Sequence, residues 1–187
     1  MRTTKMAIEI RVATMADCPT ISQLIAESAR GLGKPDYSDD VIEAALQGIW
    51  GLDTQLVRDG TYFLVYANNQ LAACGGWSFR STVFGSDKDK SRDSARLNPV
   101  IDPARIRAFF VRPKFARQGI GSALLARCEK EARQAGFRTL SLGSTLPGQR
   151  LYAAHGFIAG TPIDHDRGDG ILMQVIPMTK RLVAERE

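Results

Sequence analysis

Residues 105–122 hold the combination best suited to chemistry in this 187-residue chain. A strand-like run, Arg105-Ile106-Arg107-Ala108-Phe109-Phe110-Val111, leads past Arg112, Lys114 and Arg117 into Gly119-Ile120-Gly121 at a helix start. The first N–H groups of a helix lack an intrahelical partner and carry the positive end of its dipole. Glycines there let a ligand approach the backbone with no Cβ in the way, and neighbouring cations add attraction. The segment therefore reads as a phosphate cradle. A Walker loop needs GxxxxGK[ST], which is absent, and the dinucleotide fingerprint needs a third glycine where Leu124 stands. A bare GxG also serves ordinary strand-to-helix turns, so its spacing alone does not name the phosphate ligand.

Other chemistries have few residues to work with. Cys18, Cys74 and Cys128 are 56 and 54 residues apart with no CxxC, and the histidines are only His155 and His165. That pattern fits reduced, buried thiols in a cytoplasmic protein and offers no metal centre. No apolar run approaches the ~18 residues of a membrane span, and the N-terminus has no secretory stretch. The net charge of +5 suggests an anionic partner. The basic residues are scattered among acids, which does not favour nucleic acid.

The elements that must position the cradle follow from periodicity. Ile8 to Ala13 alternates as a half-buried strand. Ile21, Leu24, Ile25 and Ala29 have helical spacing, with Gly31 and Gly33 as the expected stop, and a second helix is expected from Ser38 or Asp39 to Trp50. Strands at 61–66 and 71–79 are joined by Asn68-Asn69 as a hairpin, with a bulge expected at Gly75-Gly76. Residues 80–104 read as a long polar, mobile insertion. After the 105–111 strand, Ile120, Leu124, Cys128 and Ala132 form one helical face that stops at Gly136. A strand at 139–142, a short helix at 147–155, a strand from Phe157 and a last strand at 171–176 complete the order β-α-α-β-β-β-α-β-α-β-β. At this length one domain, 1–187, is expected, of mixed α/β (α+β) class.

Two motifs give the combination a family likeness. The stretch FFVRPKFARQGIGSALL resembles the acetyl-CoA-binding motif of the Gcn5-related N-acetyltransferases, the GNAT superfamily, and Tyr152-Ala153-Ala154-His155-Gly156-Phe157 resembles its downstream Y-x-x-x-G-F element. The resemblance implies a mostly antiparallel sheet splayed into a V, with acetyl-CoA in the gap. By the same resemblance, pantetheine would run along Phe109, Phe110 and Val111. The pyrophosphate would rest on backbone N–H groups of Arg117, Gln118, Gly119, Ile120, Gly121 and Ser122. Ala116 stands where the family usually has Arg or Gln, so no side-chain contact carries over at that position.

The implied reaction is direct acetyl transfer from the thioester to a neutral primary amine of a small molecule or peptide. A backbone N–H near Val111 would stabilise the developing oxyanion, and Tyr152 would protonate the leaving thiolate. No general base is evident: Glu43 is a candidate that also suits a solvated helix face, and Thr145 replaces the asparagine common in relatives. His155 reads as a helix-terminal residue. Expected substrate walls are the N-terminal helices, Tyr37, Trp77 and the 80–104 insertion, with Arg80, Arg105 and Arg107 available to an acidic acceptor. The competing readings are a non-catalytic acyl-CoA sensor and an acetyltransferase of aminoacyl-tRNA. Open sheet edges allow a homodimer.

Overall fold

The structure, a computed structural model, describes residues 6–83, 86–88, 94–166 and 172–182. The first strand, β1 (Ile8–Val12), pairs antiparallel with β2 (Tyr62–Ala67), which pairs antiparallel with β3 (Gln70–Ser78). Tyr62, Phe63, Leu64 and Val65 are each buried, so β2 is covered on both faces, as its unbroken apolar run requires. The turn between β2 and β3 places Asn68 and Asn69 at φ +48° and +62°, the left-handed geometry that asparagine tolerates.

The sheet opens at its centre. Strand β4 (Ala104–Val111) is antiparallel to β3 and parallel to β5 (Thr139–Ser144), but its register with β5 holds only at Ala104↔Leu140 and Arg105↔Ser141. Beyond Arg105 the strands part, while β5 stays paired along its whole length with β8 (Leu172–Arg181). Short strands β6 (Ile158–Ala159) and β7 (Ile163–Asp166) also pair with β8. The order β1-β2-β3-β4-β5-β8-β6 is thus a mixed, mostly antiparallel V, the expected architecture.

Helices cover both faces. Between β1 and β2 come α1 (Cys18–Gly33), α2 (Asp39–Gln47) and α3 (Thr54–Arg58). On the other face α4 (Ile120–Gln134) buries Ile120, Leu124, Leu125, Cys128 and Ala132, which adds Leu125 to the expected stripe. The short α5 (Gln149–Ala154) follows β5.

Several elements differ from the sequence reading. Gly31 does not stop α1: it lies inside the helix, where a Cβ would fall 2.2 Å from Pro113 Cγ, so it is a close-approach glycine. Helix α2 ends at Gln47, before Trp50, because Gly48 and Trp50 N–H both turn back onto the Ala45 carbonyl. The unexpected α3 is capped by Asp53, whose carboxylate accepts from Gln55 N–H. The last strand runs on to Arg181 through its pairing with β5, although Thr179, Lys180 and Arg181 read as polar; its expected first residue, Ile171, lies outside the described residues. The bulge is real, but its extra residue is on β4. Ala108 and Phe109 together oppose Gly75, and Ala108 takes φ +52°.

The described parts of the 80–104 insertion are anchored. Arg80 bridges to Arg96, and the Ser86 hydroxyl donates to the Gly48 carbonyl at 2.6 Å. Lys88 Nζ donates to the Leu46 carbonyl, and Asp87 accepts from Thr54. Residues Gly85, Asp89, Lys90, Ser91, Arg92 and Asp93 of that segment lie outside the described residues.

Candidate active site

The splay between β4 and β5 holds a cavity of about 530 Å³, in the size range of small-molecule sites. Every cofactor-binding residue expected from sequence lines it except Gln118: Phe109, Phe110, Val111, Arg117, Gly119, Ile120, Gly121 and Ser122 are in its wall, and so is Tyr152. Gln118 instead secures the turn, its side-chain amide donating to the Lys114 carbonyl at 2.8 Å.

The turn before α4 is tight and leaves the helix end open. Arg117 and Gly119 take φ +63° and +82°, which fold the chain tightly before α4. Ala123 N–H is bonded to the Gly119 carbonyl, so the N–H groups just before it form the open end of the helix. A hydrogen bond of 2.9 Å between His155 Nε2 and Ser122 Oγ ties the end of α5 to this turn. Sequence reading gave His155 only a dipole role, because its partner lies 33 residues away.

Charge is distributed differently from the linear reading. Arg112 lies 2.9 Å from Glu27 and donates to the Leu71 carbonyl, while Lys114 donates to Gln70. Neither lines the cavity; Arg117 and Arg150 do, and Arg150 carried no sequence signal. Of the arginines considered for an acidic acceptor, Arg80 is paired with Asp59 at 2.6 Å and Arg105 donates to Ser141. Arg107 reaches the cavity, but it is 5 % exposed and paired with the buried Asp53 at 3.0 Å.

Near the β4 bulge, Arg112 N–H donates to the Ala72 carbonyl of β3, so the alternate Val111 N–H points away from β3. It donates to the Ser28 hydroxyl of α1 at 3.2 Å. Tyr152 is 8 % exposed and stacks its edge against Phe157 and Phe109, with centroids 5.7 and 6.2 Å away. Burial, and secondarily Cys128, raises the Tyr152 phenol above its ordinary pKa, so it is a protonated donor at neutral pH.

A model of the acetyltransferase (GNAT) family matches residues 21–157, most of the chain and all of the cavity's cradle. The chain belongs to that family. Structural neighbours have the same fold at low identity. The GCN5-related N-acetyltransferase described as an aminotransferase, class II, from Rhodopseudomonas palustris superposes with TM-score 0.70 at 16 % identity, covering 97 % of this chain and all of the other. PaiA N-acetyltransferase from Thermoplasma acidophilum, in complex with coenzyme A, gives 0.64 at 17 % over 95 % and 100 %. YncA from Salmonella typhimurium, with its cofactor acetyl-CoA, gives 0.61 at 16 % over 95 % of each. A search of curated protein sequences finds no match.

Other expected walls of this GNAT site are placed elsewhere. Trp77 is buried against Phe79 and Phe137, outside the cavity. Glu43 forms two bonds with Arg30 on the surface, which removes it as a base candidate. Tyr37 is a brace: its hydroxyl accepts from Leu146 N–H and donates to the Gln174 carbonyl. The cavity lining contains no Asp, Glu or His among the described residues. Among those residues no group of side chains could hold a metal ion, and no helix is long and apolar enough to cross a membrane.

Proposed function

We propose that this acetyltransferase transfers an acetyl group from acetyl-CoA directly to a primary amine held in the same cavity. The observation that carries the reading is that the free edge of β4, the open end of α4 and Tyr152 all line one cavity in the splay. The residues present fit the thioester's two ends. The α4 cradle, with Arg117 and Arg150, suits pyrophosphate, and the unpaired β4 edge suits an extended amide-bearing arm. When bound, acetyl-CoA supplies an activated acetyl group: a C–N bond forms as the C–S bond breaks, sulfur leaves as a thiolate, and the amine sheds a proton.

The chain's own residues have three tasks. Backbone N–H groups from Gly119 to Ser122 fix the phosphates. The Val111 N–H, on the side of β4 away from β3, donates to the Ser28 hydroxyl at 3.2 Å and would stabilise negative charge by exchanging that partner. Burial keeps Tyr152 protonated in the resting site, and it gives that proton to the departing thiolate, regaining one from water after turnover. With no carboxylate or imidazole among the described lining residues, the amine's proton leaves to water.

Release of free thiol from acetyl-CoA in the presence of amines tests the reading. Tyr152→Phe keeps the ring contacts and is expected to lower kcat about 100-fold while leaving acetyl-CoA binding intact. Unchanged kcat with every active amine would remove Tyr152 from the mechanism.

A further inference from the structure

The cavity passes through the sheet. Its cradle end is walled by residues of the core on the α4 face, including Phe109, Ile120 and Tyr152. Its other end is walled by residues of a separate cluster, where Trp50, Met173 and Val175 pack with α1 and α2, and Phe110 packs against them. Successive side chains of a strand point to opposite faces, so neighbouring Phe109 and Phe110 serve the two ends. The end of the cavity away from the cradle is therefore available as the acceptor's chamber.

That chamber has a definite chemistry. Leu32, Ile49, Trp50, Val83, Met173 and Val175 supply its surface. Trp50, Met173 and Val175 are buried, so a hydrated or charged group placed against them would lose solvation without a partner. The charged side chains of the described lining are Arg107, Arg117 and Arg150, all of one sign. A polycation finds no carboxylate among the described lining residues to hold its ammonium groups. Basicity points the same way. At pH 7.5 an α-amine is about one-third neutral, against about 0.1 % for an amine as basic as lysine's. In a site that leaves deprotonation to water, this alone favours the α-amine by about 250-fold.

We propose that the acceptor is an α-amine flanked by an apolar side chain, the shared chemistry of a peptide N-terminus and an amino-acid amide, and that Trp50, Val83, Met173 and Val175 bind the side chain. This rests on the transferase reading above. The amine nitrogen forms the new C–N bond, its proton goes to water, and the thiolate takes one from Tyr152.

The test measures thiol release at saturating acetyl-CoA with phenylalaninamide, leucinamide, glycinamide, the peptide Phe-Ala-Ala-Ala-amide, spermidine and kanamycin. The phenylalanine and leucine amides should exceed glycinamide in kcat/KM by at least 10-fold and spermidine by at least 100-fold. The peptide and amide arms separate a polypeptide acceptor from a free small one. Trp50→Ala should reduce the phenylalaninamide-to-glycinamide ratio at least 5-fold. Because Trp50 is a core residue, Val83→Asp on the more exposed rim provides the second variant and should lower that ratio while raising spermidine turnover. Three results would overturn the inference: spermidine or kanamycin matching the apolar amides, glycinamide equalling them, or no α-amine being acetylated although acetyl-CoA stabilises the chain. Failure of acetyl-CoA to stabilise the chain, with no turnover of any amine, would instead defeat the transferase reading itself.

Discussion

At the scale of single residues, burial decides what Tyr152 and Arg107 do. Tyr152 is driven towards its neutral form, so its acid limb lies above the ordinary phenol range. Turnover is accordingly expected to rise with pH as the acceptor amine deprotonates, with no fall below about pH 10. A wild-type pH–rate profile that declines between pH 8 and 9 would contradict the assignment. Arg107 shows the opposite case, a buried charge whose value lies in its partner. Removing it takes the guanidinium from a buried carboxylate, so Arg107→Met should cost about 3–5 kcal/mol in urea denaturation. Arg107→Met with Asp53→Asn should recover part of that loss, since Asn retains an acceptor for Gln55 N–H. The place of Tyr152 in the cavity wall was legible because Gly156-Phe157 sits beside it in a known pattern. The Arg107–Asp53 pair was not, because its members are 54 residues apart and each alone looks like a surface charge.

At the scale of elements, local signals were legible and long-range contacts were not. Asn68-Asn69, the α4 stripe and Gly119 state their own geometry within a few residues. Gly31 does not, because its reason is Pro113, which opens the turn into the cradle. In an ordinary helix Gly→Ala stabilises by up to about 1 kcal/mol. Here the added Cβ meets Pro113, so Gly31→Ala should instead destabilise by about 1–3 kcal/mol and weaken acetyl-CoA binding by displacing the turn. A thermal melt with and without ligand separates the two effects. The entry to α1 behaves differently, since its determinants are adjacent. Hydrogen bonds from Arg11 lower the Asp17 carboxylate well below its usual range against the effect of burial, and Thr14 adds two more. The folded pKa is depressed, so this contribution is present above about pH 4 and is lost as pH falls through the folded value. With Arg11 partly exposed it amounts to about 1 kcal/mol. Asp17→Asn should therefore lower stability at pH 7 and flatten its loss in acid, which denaturation at pH 7 and pH 3 resolves.

At the scale of the whole molecule, the V is held by very little at its apex. Two register pairs join β4 to β5, and below them the arms are linked by α4 on one face and by braces such as Tyr37 and His155. The sequence announces the strands on either side of the gap but not the gap, because splay is a failure of pairing between segments far apart in the chain. A ligand seated against both the β4 edge and the α5 side binds the folded chain and not the unfolded one. At 100 times its Kd, such a ligand stabilises by about 2.7 kcal/mol, which for a chain of this size raises Tm by about 5–11 °C. Acetyl-CoA should produce that shift, and free acetate should not. Gly119→Glu tests whether the shift depends on the cradle. A side chain there meets nothing within 4 Å, so the fold has room for it, but φ +82° disfavours it and its charge opposes phosphate. The variant is expected to fold with a Tm lower than the parent's by about 2–8 °C and to lose the acetyl-CoA shift. A retained shift would mean that the arms are bridged from the β4 edge alone, and the helix end would then have no part in holding the cofactor.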